Sequence, residues 1–381
     1  MSTKTTSPID FATKFLGRIL EKLKLKKPVI TPVSATDEVW LMDSTAFFNS
    51  ATNTWSSEIM AAYFHRDGGQ EIADMVAEIA GLLKMADNDA AKQTVANRIE
   101  PFINAIQAAK TVQAEEKAKK VVTLGPSQDR GISLNEVAFP GGRDVYPDGV
   151  AVKSMGLLPS GSLAAQMTTH FASQDGWGII SDVDDTIKVS EVRDRIKLLR
   201  HTFVDDQTAV PGMVELYHQL NDLLNPVWFY LSASPYNLYP VIRKFLLDHF
   251  PLGQLVLRDM SWMELESFIV SLTVGTEGYK IDRMDRMHRW FPNRKMICIG
   301  DSTQKDPEAY AAVYKKYPGW IKKIYIRVVK GVNEREEKDL NSKARFEKAF
   351  KGIPKDAWVT FEDPREVSQQ LGVLIEEVGQ A

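Results

Sequence analysis

Cysteine is nearly absent from this chain of 381 residues; the one present, Cys298, cannot close an intramolecular disulfide. That absence suits a reducing compartment. No CxxC, HExxH or histidine cluster occurs, which argues against a structural zinc site. No apolar run is long enough to cross a bilayer, and the N-terminus lacks the apolar core of a secretory signal. Charge of one sign is also scarce: the formal net charge is −3, so non-specific nucleic-acid binding through the whole surface is not expected. His65, His170, His201, His218, His249 and His288 show no pairing with a candidate Ser or Cys nucleophile and read as structural or surface residues.

What the chain does have is ordinary globular material, 44% hydrophobic and 25% charged, enough for a sizeable core and for two domains. Residues 8–27 read as a basic amphipathic helix. Phe11, Phe15, Ile19 and Leu23 recur every four residues, and Lys14, Arg18, Lys22, Lys24, Lys26 and Lys27 supply charge. Such a helix suits the interface of an anionic membrane, or packing on the protein's own core; a mitochondrial transit peptide is a further option that Asp10 and Glu21 weigh against. Pro28 and Pro32 close it. The expected division is 1–34 helix and linker, 35–172 a mixed α+β domain, and 173–381 a second domain. Within the first domain, 36–64 suggests strands, 69–120 reads as helical, and the Gly- and Pro-rich 121–170 suggests short strands between turns.

From 177 onward strands alternate with helices. Strands are expected at 177–182, 227–232, 254–258, 296–300, 323–329 and 357–361. Helices are expected at 211–224, 236–249, 280–290, 306–316 and 333–350. The alternation argues for an α/β fold with a mainly parallel sheet, and the Val- and Ile-rich strands fit burial on both faces.

The chemistry-bearing residues fall at strand ends. Trp177-Gly178-Ile179-Ile180 leads into Asp182-Val183-Asp184-Asp185-Thr186. Alternate carboxylates at the carboxyl edge of a parallel sheet sit where active sites of α/β proteins gather. They repel one another unless a cation holds them, so Mg²⁺ is the first candidate. Alone, an Asp after a strand is more often a turn former or helix N-cap. The later segments change that balance. Val227–Leu231 ends in Ser232, Lys280 opens a helix, and Met296–Ile299 ends in Gly300-Asp301, with Asp306 five residues on. Any one of these alone reads as a strand-end hydroxyl, a surface lysine or a helix cap; the ordered set does not.

Together, DxDxT, strand-Ser, Lys and GDxxxxD resemble the haloacid dehalogenase phosphatase superfamily. The wording Ile180–Lys188, Leu231–Tyr236, Gly300–Asp306 and Trp358–Pro364 is similar to the fungal actin-patch phosphatidate phosphatase family. The resemblance implies a Rossmann-like haloacid dehalogenase domain with a small cap. It also implies a Mg²⁺-dependent enzyme converting phosphatidate to diacylglycerol and phosphate. By resemblance, Asp182 is the nucleophile, forming an aspartyl-phosphate. Asp184 is the general acid and then base, which requires a raised pKa. Ser232, Ala233 and Lys280 hold the phosphoryl group. Asp182, Asp301, Asp306 and the Asp184 backbone hold the metal. Thr186 is assigned to the turn.

The inserts on either side of the site are short, and the one after Thr186 is basic (Lys188, Arg193, Arg195, Lys197, Arg200). An open site suits a lipid headgroup at an anionic surface, and hence a cytoplasmic, peripherally membrane-associated enzyme. A phosphoprotein or soluble phosphate ester fits the opening too, and a non-catalytic membrane-binding adaptor is the third reading. A cytoskeletal or endocytic partnership through a proline-rich tail is not supported, since Pro28 and Pro32 do not form PxxP.

Overall fold

The computed structural model describes residues 29–65, isolated positions between 73 and 81, 89–103, 105–115, 121–259 and 275–371. The basic amphipathic stretch 8–27 lies outside the described residues.

Among these residues the N-terminal half is built mainly from strands: β1 (Thr31–Pro32), β2 (Asp37–Leu41), β3 (Ser44–Asn49), β4 (Thr54–His65), β5 (Ala105–Ile106), β6 (Lys110–Glu115), β7 (Val121–Leu124), β8 (Ile132–Phe139), β9 (Ala151–Leu157) and β10 (Gln166–Ala172). They form one sheet whose main path runs β1-β6-β9-β10-β3-β4-β2. Helix α1 (Asp89–Ile103) carries Pro101 in its last turn, and a short helix α2 (Gly142–Val145) follows β8. The helix expected to continue to 119 does not. Lys110–Glu115 alternates instead with Val112 and Ala114 buried, and pairs with β7 and β9 as a strand.

The second half is the α/β unit that the alternation predicts. Strands β11 (Trp177–Asp182), β12 (Val227–Pro235), β13 (Gln254–Arg258), β14 (Lys295–Asp301), β15 (Ile321–Arg327) and β16 (Trp358–Phe361) form a sheet in the order β13-β12-β11-β14-β15-β16. Every pairing in it is parallel. Period-two alternation splits the central strands between two cores: Ile179, Ile297 and Ile299 face one, while Ile180 and Cys298 face the other. Helices α4 (Met213–Leu224), α5 (Tyr239–His249), α6 (Thr276–Trp290) and α7 (Asp306–Lys316) follow the expected positions.

Two local departures have identifiable causes. Helix α3 (Arg195–Phe203) lies in the basic insert, begun by Asp194, whose carboxylate accepts from the Ile196 and Lys197 amides. The single helix expected over 333–350 is two, α8 (Glu334–Leu340) and α9 (Lys343–Ala349). Asn333 caps the first and Ser342 the second, so the chain restarts where a second capping side chain competes with the helix.

The two halves share a core. Met42, Phe64, Ile79, Val95 and Ile99 are buried in the same cluster as Ile179, Leu216 and Tyr236. Polar ties run alongside. The Asp43 amide donates to the Tyr239 hydroxyl at 2.7 Å, and Arg243 Nε pairs with Asp43 Oδ2 at 2.6 Å. Tyr236, just after the Ser232–Pro235 segment, donates to the Arg130 carbonyl at 2.9 Å.

Candidate active site

Parallel strands release their next residues at one edge, and here three adjacent strands do so with polar side chains. β11 ends on Asp182, β14 ends on Asp301, and β12 carries Ser232 and Ser234 with Ala233 between them. α6 brings Lys280 and α7 brings Asp306, both fully buried. One carboxylate oxygen from each of Asp182, Asp301 and Asp306 lies within 4.8 Å of the other two. Lys280 Nζ donates to Asp182 Oδ1 at 2.6 Å and also to Asp306 Oδ1.

Gly300 makes this approach possible. A Cβ there would come within 2.6 Å of the Asp306 carboxylate, so any side chain would push Asp306 away from the cluster. With Gly300 bare, Asp306 Oδ2 accepts the Asp301 amide at 3.0 Å. Asp306 is therefore not the helix N-cap that its position before Pro307 suggests; its carboxylate turns back to the site. Asp185 caps no helix either. Held at φ +60, it gathers the amides of Ser190, Glu191 and Val192 and folds the segment after β11 into a closed turn.

Electrostatics divide the carboxylates into two groups. Burial pushes Asp182 well above the usual carboxylate range, with Asp306 and Asp301 adding repulsion that Lys280 only partly offsets. Asp306 is raised to about 6, by burial and by Asp301 against the pull of Lys280. Lys280 itself loses to burial but gains more from Asp182 and Asp306, so it stays charged. Asp184 goes the other way. Burial would raise it, yet Lys188, 3.3 Å away, and the hydroxyls of Ser190, Ser232 and Ser234 lower it. The raised pKa expected for Asp184 is thus not found in this unliganded arrangement, because its neighbours are donors and a cation rather than other acids.

The Asp184 side chain is likewise outside the metal-capable group, which comprises Asp182, Asp301 and Asp306. Its Oδ1 accepts from Ser190 Oγ at 2.7 Å, and its Oδ2 accepts from Ser232 at 2.8 Å and Ser234 at 3.0 Å. Four residues that sequence reasoning left out of the site therefore belong beside it: Thr186, Lys188, Ser190 and Ser234. The fourth position of DxDxT was the available signal for Thr186. Its hydroxyl sits 3.0 Å from both Asp182 Oδ2 and Asp301 Oδ2. Lys188 read as part of a basic surface run, but it is 4% exposed. Most of that run is spent locally: Arg193 donates to the Thr303 carbonyl, Lys197 pairs with Glu191 at 2.6 Å, and Arg200 pairs with Asp205 at 2.9 Å.

The donor set suits a hard divalent cation. Five buried carboxylates (Asp182, Asp184, Asp185, Asp301, Asp306) face three nearby cationic side chains, Lys188, Lys280 and Arg327. With every carboxylate ionised, the formal excess of two negative charges is one that a divalent ion would offset, and all the candidate ligand atoms are oxygens. Two clefts of about 560 and 590 Å³ lie elsewhere and contain none of these residues.

An α/β protein with buried carboxylates, a lysine and serine hydroxyls converging on one parallel-sheet edge is the class that fold and site define. Residues 177–328 match the family model described as phosphatidate phosphatase APP1, catalytic domain. Through this segment the chain is similar to that family. It is 32% identical over 161 residues to phosphatidate phosphatase APP1 of Saccharomyces cerevisiae, covering 42% of this chain and 27% of that protein. It is 27% identical over 162 residues to an uncharacterized protein of Schizosaccharomyces pombe, covering 41% of this chain and 26% of that one. The alignments thus span about a quarter of the length of these curated relatives. Among solved structures, the beta-glucuronidase of Parabacteroides merdae aligns over 76% of this chain and 40% of its own at 8% identity, with a TM-score of 0.26, which bears on neither fold nor function.

Proposed function

We propose that this chain is a Mg²⁺-dependent phosphatidate phosphatase with a Rossmann-like haloacid dehalogenase domain at about 173–381, hydrolysing phosphatidate to diacylglycerol and phosphate. The observation that carries the reading is the Asp182–Lys280 pair, set among Asp301 and Asp306 inside the segment that matches the catalytic-domain family.

In this reading Asp182 attacks phosphorus and takes the phosphoryl group as an aspartyl-phosphate. Lys280 opposes the protonation that burial and the neighbouring carboxylates favour at Asp182 and screens the incoming oxyanions, and Ser232 with the amides around Ala233 holds the phosphoryl oxygens. Asp184 faces the same end of β12, where its carboxyl group serves the leaving oxygen and then the attacking water. Asp182, Asp301 and Asp306 would hold Mg²⁺, with the Asp184 carbonyl as a further ligand; the ion supplies charge neutralisation for phosphoryl transfer. Residues 35–172 act as a bracing domain, and the basic stretch 8–27 draws the enzyme to anionic membrane from the cytoplasmic side.

The test is phosphate release from phosphatidate in detergent micelles, with and without Mg²⁺, against a small aryl phosphate. Asp182→Asn is the blank. Strong Mg²⁺-dependent turnover of phosphatidate, absent in the variant, is expected. Aryl phosphate turnover alone would keep the chemistry and move the substrate to a soluble ester or phosphoprotein. Silence on both would leave a membrane-binding adaptor.

A further inference from the structure

We infer that Lys188 is a positioning residue for Asp184, holding its carboxylate at the serine end of the site and out of the acidic cluster. The inference rests on the phosphatase reading and deepens it. Three hydroxyls, from Ser190, Ser232 and Ser234, already contact the Asp184 carboxylate, and the Lys188 ammonium lies 3.3 Å from its Oδ1. Lys188 also donates to Ser190 Oγ, so cation and hydroxyl form one unit against Oδ1.

The backbone fixes that unit. The Ile187 and Lys188 amides both donate to the Val183 carbonyl at 3.0 Å, and the Asp185 amide donates to the Lys188 carbonyl at 2.8 Å. The same strap is pinned from outside, where the Val210 amide donates to the Ile187 carbonyl at 2.8 Å. Lys188 is thus delivered to Asp184 by a closed turn rather than by a mobile side chain on the surface. Asp182, Asp301 and Asp306 lie close by with excess negative charge, and a neighbouring carboxylate freed from its partners is a ready fourth ligand for any cation there. The Lys188 charge and the serine hydroxyls favour the position at the serine end instead. They leave the Asp184 carboxyl group aimed at the phosphoryl pocket, where it serves the bridging oxygen of the ester. In that step the P–O bond to the leaving group breaks, phosphorus bonds to Asp182, and the departing oxygen takes its proton from Asp184, which picks that proton up from solvent as the negative charge of the bound phosphate offsets Lys188.

The consequence is specific to the leaving group. Proton donation matters greatly for an alkyl alcohol, such as the glycerol oxygen of a lipid phosphate, and little for an aryl oxide that leaves unaided. The experiment measures single-turnover phosphoryl transfer by wild type, Lys188→Met, Lys188→Arg and Ser190→Ala. The substrates are an alkyl phosphate in micelles and p-nitrophenyl phosphate, both at saturating Mg²⁺. Expected for Lys188→Met is a fall of about 100-fold with the alkyl ester and under about 10-fold with the aryl ester, KM changing little. Lys188→Arg should recover much of the alkyl rate, and Ser190→Ala should show the same split more weakly. Should Lys188→Met fail to fold, the Ser190→Ala and Lys188→Arg pair still reads the split. Equal losses on both esters, or no loss, would overturn the positioning role. Wild type inactive on both esters would instead overturn the phosphatase reading on which it rests.

Discussion

The Thr186 hydroxyl lies 3.0 Å from Asp182 Oδ2 and 3.0 Å from Asp301 Oδ2. A hydroxyl has one proton, so it donates to one carboxylate at a time and leaves its lone pairs facing the other. The arrangement is fully satisfied only when something positive shares the space. Thr186→Val should therefore leave two buried carboxylates without this donor. The expected loss is about 1.5–3 kcal/mol in metal-free protein, read from urea unfolding, and Mg²⁺ should restore part of it. Thr186→Ser should behave like wild type.

Lys280 is the cation that touches both Asp182 and Asp306. Removing one member of a buried charge group strands the others, at about 3–5 kcal/mol. Lys280→Met should be destabilised by that order without metal and should gain more from added Mg²⁺ than wild type does. Thermal unfolding with EDTA and with Mg²⁺ measures the difference. Equal gains in both proteins would disconnect Lys280 from the cation site.

Asp185 gives the pH dependence. Burial, then the nearby Asp301 charge, raise its carboxyl group from 3.8 to about 6, against three amide hydrogen bonds. A raised acid binds its proton more tightly in the folded state than in the unfolded state. Its contribution is fully present below about pH 4 and is lost as pH rises through about 6. The rise from 3.8 to about 6 corresponds to about 3 kcal/mol. Asp185→Asn removes this term, so the stability of wild type relative to the variant should fall between pH 4 and 6. Guanidinium unfolding of the two metal-free proteins across that window is the measurement, and a flat difference would place the titration elsewhere.

The shared core makes a prediction about truncation. Phe64, Val95 and Ile99 are buried together with Leu216 and Tyr236, and Tyr236 follows directly on the Ser232–Pro235 segment. Residues 173–381 expressed without 29–172 should expose this apolar face. The fragment should unfold at least about 10 °C lower than the full chain or aggregate, by differential scanning calorimetry. Full stability of the fragment would make 35–172 an appendage.

Most of the α/β half was legible in the sequence. Strands buried on both faces announce themselves as continuous apolar runs, and β11, β13 and α7 fall where expected. Asp182, Asp301 and Lys280 were legible because each closes a strand or opens a helix. Asp184 was only half legible: its place followed from spacing, but its electrostatic state depends on Lys188 and Ser190, whose approach is set by the left-handed turn at Asp185. Residues 110–115 were misread as helix because their short alternation, with Val112 and Ala114 inward, shows only once β7 and β9 flank it. Ser342 splits the helix expected over 333–350 through a cap whose competition with helix continuation no periodicity reveals.

Cys298 lies fully buried in β14, an interior strand flanked by β11 and β15. Its thiol is pushed well up by burial, so it is inert while the sheet stays closed. As the chain has a single cysteine, its rate of modification by a thiol reagent is a clock for the opening of the sheet's centre. Any ligand that closes the site at the end of that same strand should slow the clock, letting binding be timed without watching a reaction.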